Sequence, residues 1–206
     1  ANKINNKIGA REAKDGEKVL ALDGKDYELK PGICVIADEE KVVGIGGIMG
    51  GNESGSTIET KDVFIESAYF DPIKTALAGR ELNIVSDSRY RFERGVDPEY
   101  VIEGLNLATQ MILDLCGGEA GEVSIVDNLK FKPKKITFNP KLVNKLTGIE
   151  IENDKINKIL VSLGFKVSDT WDVVIPSWRP DIYGEADLVE EIVRIFGLDN
   201  IKSEPL

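Results

Sequence analysis

Histidine is absent from all 206 residues. A general base in this chain is therefore a carboxylate, a substrate group or a water held by the backbone, because no imidazole can titrate near neutrality. Cysteine is scarce: Cys34 and Cys116 lie far apart with no CxxC pair, and read as buried reduced thiols. No apolar run approaches the roughly 20 residues of a membrane-spanning helix. The opening Ala1-Asn2-Lys3-Ile4-Asn5-Asn6 has neither Met nor the charged-then-apolar layout of a signal peptide, so the chain reads as cytoplasmic, free of membrane, and excised from something longer. Basic residues are in deficit, 26 against 36 acidic ones, for a net charge of −10. Such a surface repels phosphate backbones and disfavours indiscriminate nucleic-acid binding. The deficit is uneven, −8 before residue 133 and −2 after it.

What remains is ordinary for a globular chain with a core, 42% hydrophobic and 30% charged, without repeats or low-complexity tracts. Val19 to Leu22 and Lys25 to Leu29 flank Asp23-Gly24, a dipeptide that tolerates the positive φ of a tight hairpin turn. Short apolar runs at Ile33 to Ala37, Val42 to Ile45 and Val63 to Phe70 read as neighbouring strands. Asp71-Pro72 predicts a helix start, with an acceptor at the cap and Pro in the first turn, running to about Leu82. A second helix is expected from Asp97-Pro98, its apolar residues recurring at three and four until Gly117-Gly118.

Charge and Pro133 interrupt the apolar pattern between Asn128 and Lys135, which places a domain boundary there, 1–130 and 131–206. Beyond it come a strand at Ile136 to Phe138, helices from Asn139-Pro140 and around Ile156 to Leu163, a ribbon across Phe165 to Ile175, and a helix from Gly184 to Phe196. The expected class is α+β, a mixed-sheet domain with helices followed by a small winged-helix-like module.

Gly44, Gly46, Gly47, Gly50 and Gly51 sit in one short stretch, and such density marks a bulge, tight packing or close approach of another group to the main chain. A dinucleotide fingerprint fails, because Met49 holds the third glycine position and no helix pattern opens directly afterwards. Glu66 interrupts an apolar run, where it is either an exposed residue of an edge strand or a pocket carboxylate sharing a face with Phe64 and Ala68. Arg89, Arg91 and Arg94 read as ion-pair partners of acids such as Glu93 and Asp97. Asp181, Glu185, Asp187, Glu190 and Glu191 give five carboxylates in eleven residues. On a helical wheel Asp187, Glu190 and Glu191 share one face, either solvated and paired with Arg194 or able to hold a hard cation.

Glu93-Arg94-Gly95-Val96-Asp97, the glycine-rich run, Ser177-Trp178-Arg179-Pro180-Asp181 and Asp187 to Glu191 occur in an order that resembles the beta subunit of bacterial phenylalanyl-tRNA synthetase, from about Gly9 to Pro205. The resemblance implies a proofreading module followed by a small structural one. Its pocket would admit tyrosine wrongly joined to tRNA(Phe) and hydrolyse the ester, with Gly50 and Gly51 at the amino acid, Glu66 on the tyrosyl hydroxyl, and Ser86 and Ser88 in another wall. No side-chain nucleophile is implied, and a histidine-bearing wall is placed upstream of Ala1. Asp181, Asp187, Glu190 and Glu191 match residues assigned to Mg2+ shared with an alpha subunit, in a heterotetramer that uses ATP at a site outside this chain. The alternatives are a non-catalytic scaffold or subunit-docking piece and, weakened by the missing basic recognition helix, a winged-helix nucleic-acid binder.

Overall fold

The computed structural model describes residues 4–127, 129 and 131–201. The chain divides into two compact units, Ala1–Val123 and Ser124–Leu206. In the first, β1 (Gly9–Glu12), β4 (Cys34–Ala37), β5 (Val42–Ile45) and β6 (Met49–Gly50) form one sheet in that order, and β2 (Glu17–Leu20) pairs with β3 (Asp26–Leu29). Each pairing is antiparallel, so the α+β class stands while the sheet expected to be mixed has one sense among the described residues.

The β2–β3 hairpin turns where Asp23-Gly24 predicts. Gly24 has φ +79°, and its N–H donates to Ala21 O at 2.9 Å. This hairpin is stitched to the end of β6 by Leu22 N–H to Gly50 O at 3.0 Å and Asn52 N–H to Leu20 O at 2.8 Å. Arg11 reaches from β1 to Glu17 of β2 with two parallel bonds of 2.7 and 2.8 Å, holding the Glu17 carboxyl at about 2. Val19, Leu29, Ile33, Val35, Ile45 and Ile48 are buried in one core with Ala78 and Ile84. Ala78 comes from α1 (Pro72–Glu81), which starts as expected: Asp71 caps it, accepting from Lys74 N–H at 2.9 Å.

Three expectations are corrected here. Val63 to Phe70 form no strand; the segment runs without a ladder partner among the described residues, and Val63 and Phe64 are half exposed rather than packed into a core. The second long helix, α3 (Val101–Cys116), begins later than Asp97-Pro98, because Asp97 spends its carboxylate and carbonyl on a turn, taking Glu99 N–H and Tyr100 N–H. Its apolar stripe buries no residue. The thiols are free, but Cys34 is half-buried and Cys116 exposed.

In the second unit, β7 (Lys135–Thr137), β9 (Asp172–Val174) and β8 (Lys166–Val167) form an antiparallel sheet in that order. Helices α4 (Lys141–Thr147), α5 (Asn153–Ser162) and α6 (Glu185–Phe196) lie where the apolar spacing predicts. They close a core in which Leu160, Phe165, Val173, Leu188 and Ile192 are almost fully buried. α4 ends on Gly148 at φ +72°, the left-handed stop that glycine adopts without strain.

Candidate functional site

A concave cavity of about 860 Å3 opens in the first unit, between β5–β6, the loop 54–68 and α2 (Asp87–Phe92). This volume lies in the range of small-molecule sites. Gly50, Glu66 and Ser88 all line it, so residues 38 positions apart in sequence share one hollow. Gly51 and Ser86 are not on the lining.

The glycines divide by what surrounds them. Side chains at Gly46 and Gly47 would strike the Phe70 ring, with β-carbons at 2.7 and 2.9 Å, and Gly47 turns the chain at φ +69°. At Gly51 a β-carbon would lie 2.6 Å from Val43 O, the carbonyl to which Gly51 N–H already donates at 2.9 Å. These three are glycine for packing and turn geometry, and the Gly51 amide is committed to the sheet. Gly50 differs: it is exposed, and a β-carbon there would approach only the flexible Leu22 side chain at 3.1 Å. Its carbonyl accepts Leu22 N–H, and its backbone is part of the cavity lining.

Glu66 keeps an exposed side chain on the extended segment, yet its carboxyl sits among enough protein that desolvation raises its pKa above the ordinary glutamate value. Among the described residues it has no hydrogen bond or ion pair to offset that. Cys34, close enough to feel the Glu66 charge, is itself pushed up, first by burial and then by that charge. The segment is fixed at its far end: Ser67 Oγ–H donates to Val101 O at 2.7 Å, and Phe70 meets Phe92 edge-on at 5.1 Å between centroids. Phe70 is a site-forming residue that the sequence reading passed over; an aromatic just before the Asp71 cap was the available signal.

On the other wall, Ser86 caps α2, accepting Arg89 N–H at 3.1 Å. Arg89 pairs with Glu93 at 2.9 Å and donates to Ile84 O at 2.5 Å, and Arg94 reaches Glu93 at 3.1 Å. The structural reading of this arginine run holds for those two, with Glu93 as the shared acid. Ser88, the second residue of α2, is half-buried and lines the cavity.

The acidic cluster of the second unit is arranged otherwise. Asp187 accepts Tyr183 N–H and Gly184 N–H, both at 2.8 Å, closing the start of α6. Arg179 binds Asp181 through Nε at 2.8 Å and Nη2 at 2.6 Å, and its Nη2 also reaches Glu191 at 2.9 Å. Arg194 closes on Glu191 at 2.6 Å. Hydrogen bonding to Arg179 holds both carboxyls below their ordinary values. Glu191 is therefore buried, with 7% of its surface exposed, and does not share the solvent face of Glu190 as the helical wheel suggested. Among the described residues no group of three or more acids and thiols is placed to hold a metal. With Asp181 and Glu191 gripped by arginine and Asp187 capping a helix, the four assigned residues as placed do not fit a divalent ion.

Residues 1–117 match the family model for the B3/4 domain, and residues 136–198 that for the tRNA synthetase B5 domain. The chain is 52% identical to the phenylalanine–tRNA ligase beta subunit of Mesorhizobium japonicum and 49% identical to that of Paramagnetospirillum magneticum, along its whole length. This chain belongs to the phenylalanine–tRNA ligase beta subunit family, as a stretch carrying its B3/4 and B5 domains. It spans about a quarter of the length of those relatives, 26% in each case. A crystal structure of an N-terminal fragment of the phenylalanyl-tRNA synthetase beta subunit from Pyrococcus horikoshii is also similar, at 16% identity and TM-score 0.43, over 95% of this chain and 57% of that one.

Proposed function

We propose that the cavity of the B3/4 domain is the proofreading site of a phenylalanine–tRNA ligase, where tyrosine wrongly esterified to tRNA(Phe) is hydrolysed. The observation that carries this reading is the meeting, in one hollow, of exposed glycine backbone at Gly50 and the unpartnered, desolvated carboxyl of Glu66. A single hydroxyl separates tyrosine from phenylalanine. An ionised Glu66 accepts the hydrogen bond of the tyrosyl hydroxyl; with phenylalanine the desolvated carboxylate stays unpaired, a penalty of about 1–3 kcal/mol.

Hydrolysis then proceeds by attack of a positioned water on the ester carbonyl. Selection and orientation, rather than a side-chain nucleophile, carry the rate. Gly50 lets the aminoacyl group lie against the main chain, and Ser88 offers a hydroxyl on the facing wall. Gly51 contributes the sheet bond that keeps β6 in register. The partners that follow are an alpha subunit bearing the ATP-dependent aminoacylation site and the acceptor end of tRNA(Phe), in a cytoplasmic enzyme; no helix among the described residues is long and apolar enough to cross a membrane.

A second reading, a docking element without catalysis, is favoured by α3, whose apolar stripe buries no residue. Hydrolysis of tyrosyl-tRNA(Phe) by the complete ligase, compared with its Glu66→Ala and Gly50→Trp variants, separates the two. Rates equal to wild type in both variants remove the cavity from the reaction.

A further inference from the structure

Ser86 does not touch the cavity, yet it joins the two walls that do. Its hydroxyl donates to Ile48 O at 2.6 Å and accepts Arg89 N–H at 3.1 Å, using its single donor and an acceptor lone pair at once. Ile48 closes the turn before β6, two residues ahead of Gly50, and Ser88 follows Ser86 by two. The same oxygen therefore ties the glycine hairpin, on which the substrate lies, to the helix that supplies the opposite wall. The rest of the hairpin turn is held by Gly46 N–H on Cys34 O at 2.9 Å and by the Phe70 ring beneath Gly46 and Gly47.

We propose that Ser86 is a positioning residue that sets the separation of the β6 and α2 walls, and with it the fit of the aminoacyl group against Gly50 and Glu66. The assignment rests on the proofreading reading for its effect on rate, but not for its effect on the hairpin. A helix cap alone needs only an acceptor; what this position demands is an acceptor and a donor together. Aspartate caps a helix as well as serine does but, ionised, donates nothing. Threonine does both.

The test compares Ser86→Asp and Ser86→Thr in the complete ligase. Ser86→Asp is expected to melt within about 2 °C of wild type because the cap is kept. It should nevertheless deacylate tyrosyl-tRNA(Phe) about fivefold or more slowly, the worth of one net hydrogen bond, and discriminate less against the phenylalanyl ester. Aminoacylation should be unchanged, and Ser86→Thr should restore both rate and discrimination. Hydrogen exchange at the Ile48 and Gly51 amides, bonded to Ile45 O and Val43 O, should quicken about fivefold in Ser86→Asp and not in Ser86→Thr. Wild-type rates and exchange in Ser86→Asp would reduce Ser86 to a cap and overturn the proposal. If Ser86→Asp instead melts far below wild type, exchange in Ser86→Thr decides, and loosened amides there overturn it equally. A wild-type ligase unable to hydrolyse tyrosyl-tRNA(Phe) overturns the proofreading reading, while the exchange data still decide whether Ser86 positions the hairpin.

Discussion

Glu66 in the first unit and Glu191 in the second are both glutamates set among apolar residues, and the structure moves their carboxyls in opposite directions. Desolvation without a partner raises the first; two arginines lower the second. The difference lies in what each unit does with its backbone. The second unit closes a core around α6, so an acid on that helix persists only by being paired, and Arg179 and Arg194 supply the pairing. The first unit leaves a loop and an exposed glycine around a hollow, so an acid there remains chemically available. The count of carboxylates does not single out Glu66: five crowd into residues 181–191, whereas Glu66 lines the cavity together with Glu59 and Asp62.

The largest effect separating the units should come from Gly50→Trp. The indole would fill the cavity edge, and deacylation of tyrosyl-tRNA(Phe) should fall by about a hundredfold or more, the order of a lost positioning contact. Aminoacylation, at a site outside this chain, should be spared. The strand should survive, since a β-carbon there meets only the flexible Leu22 side chain. A joint loss of both activities with a lowered Tm would make Gly50 structural, like Gly51.

Arg179→Met is expected to act on the second unit in the complementary way. It leaves Glu191 at 7% exposure with Arg194 alone and strips Asp181 of its partner. Breaking a largely buried pair costs about 2 kcal/mol once its partial exposure is allowed for. Urea or thermal denaturation should show that loss, with deacylation of tyrosyl-tRNA(Phe) unaltered. Glu190→Gln, on the exposed face, should leave Tm unchanged.

Glu66→Ala sharpens the contrast more gently: removing an available acid should narrow the tyrosine-over-phenylalanine preference in deacylation about tenfold, about 1.4 kcal/mol, without loss of stability. The pH dependence follows from the shifts. Glu66 has a raised folded pKa, so its ionised form opposes folding and its selectivity needs pH above that raised value. As pH falls through it, discrimination should fade, at higher pH than an ordinary glutamate would titrate. Asp181 and Glu191 run the other way: their stabilisation is complete above their ordinary values and is lost as pH falls through the lowered folded ones. Selectivity should therefore fail before the second unit loosens. The reverse order in a pH series of discrimination and urea midpoints would break the comparison.

Much of this was legible in the sequence because local chemistry decided it. Asp23-Gly24 needs positive φ, Asp71-Pro72 offers a cap and a first-turn proline, and Gly148 stops α4. The helices of the second unit follow their apolar spacing because a closed core rewards it. What the sequence hid depends on contacts between distant residues. The apolar run Val63 to Phe70 reads as a strand, but a strand exists only with a ladder partner, and the described residues supply none. A helical wheel assigns Glu191 to solvent, because the wheel contains no Arg179 from twelve positions upstream. The glycine run looks uniform until Phe70 and Val43 O separate the glycines that fill no space from the one that leaves space open.

The smallest effect expected is on magnesium. Mg2+ takes about six oxygens in near-octahedral geometry and usually keeps several waters, so a protein site needs one or two carboxylates free to turn toward it. Of the four acids assigned to such an ion, Asp187 accepts two backbone N–H groups at the start of α6, and Asp181 and Glu191 are bound to one guanidinium. Glu190 alone faces solvent without such a bond among the described residues. For the cluster to hold the ion, Arg179 would have to release both carboxylates, which costs the pairing that lets Glu191 stay buried. Calorimetric titration of the protein with MgCl2 is therefore expected to show no saturable heat that Glu190→Gln removes. A one-to-one site abolished by that substitution would mean that the acids of the second unit are available after all, as Glu66 is in the first.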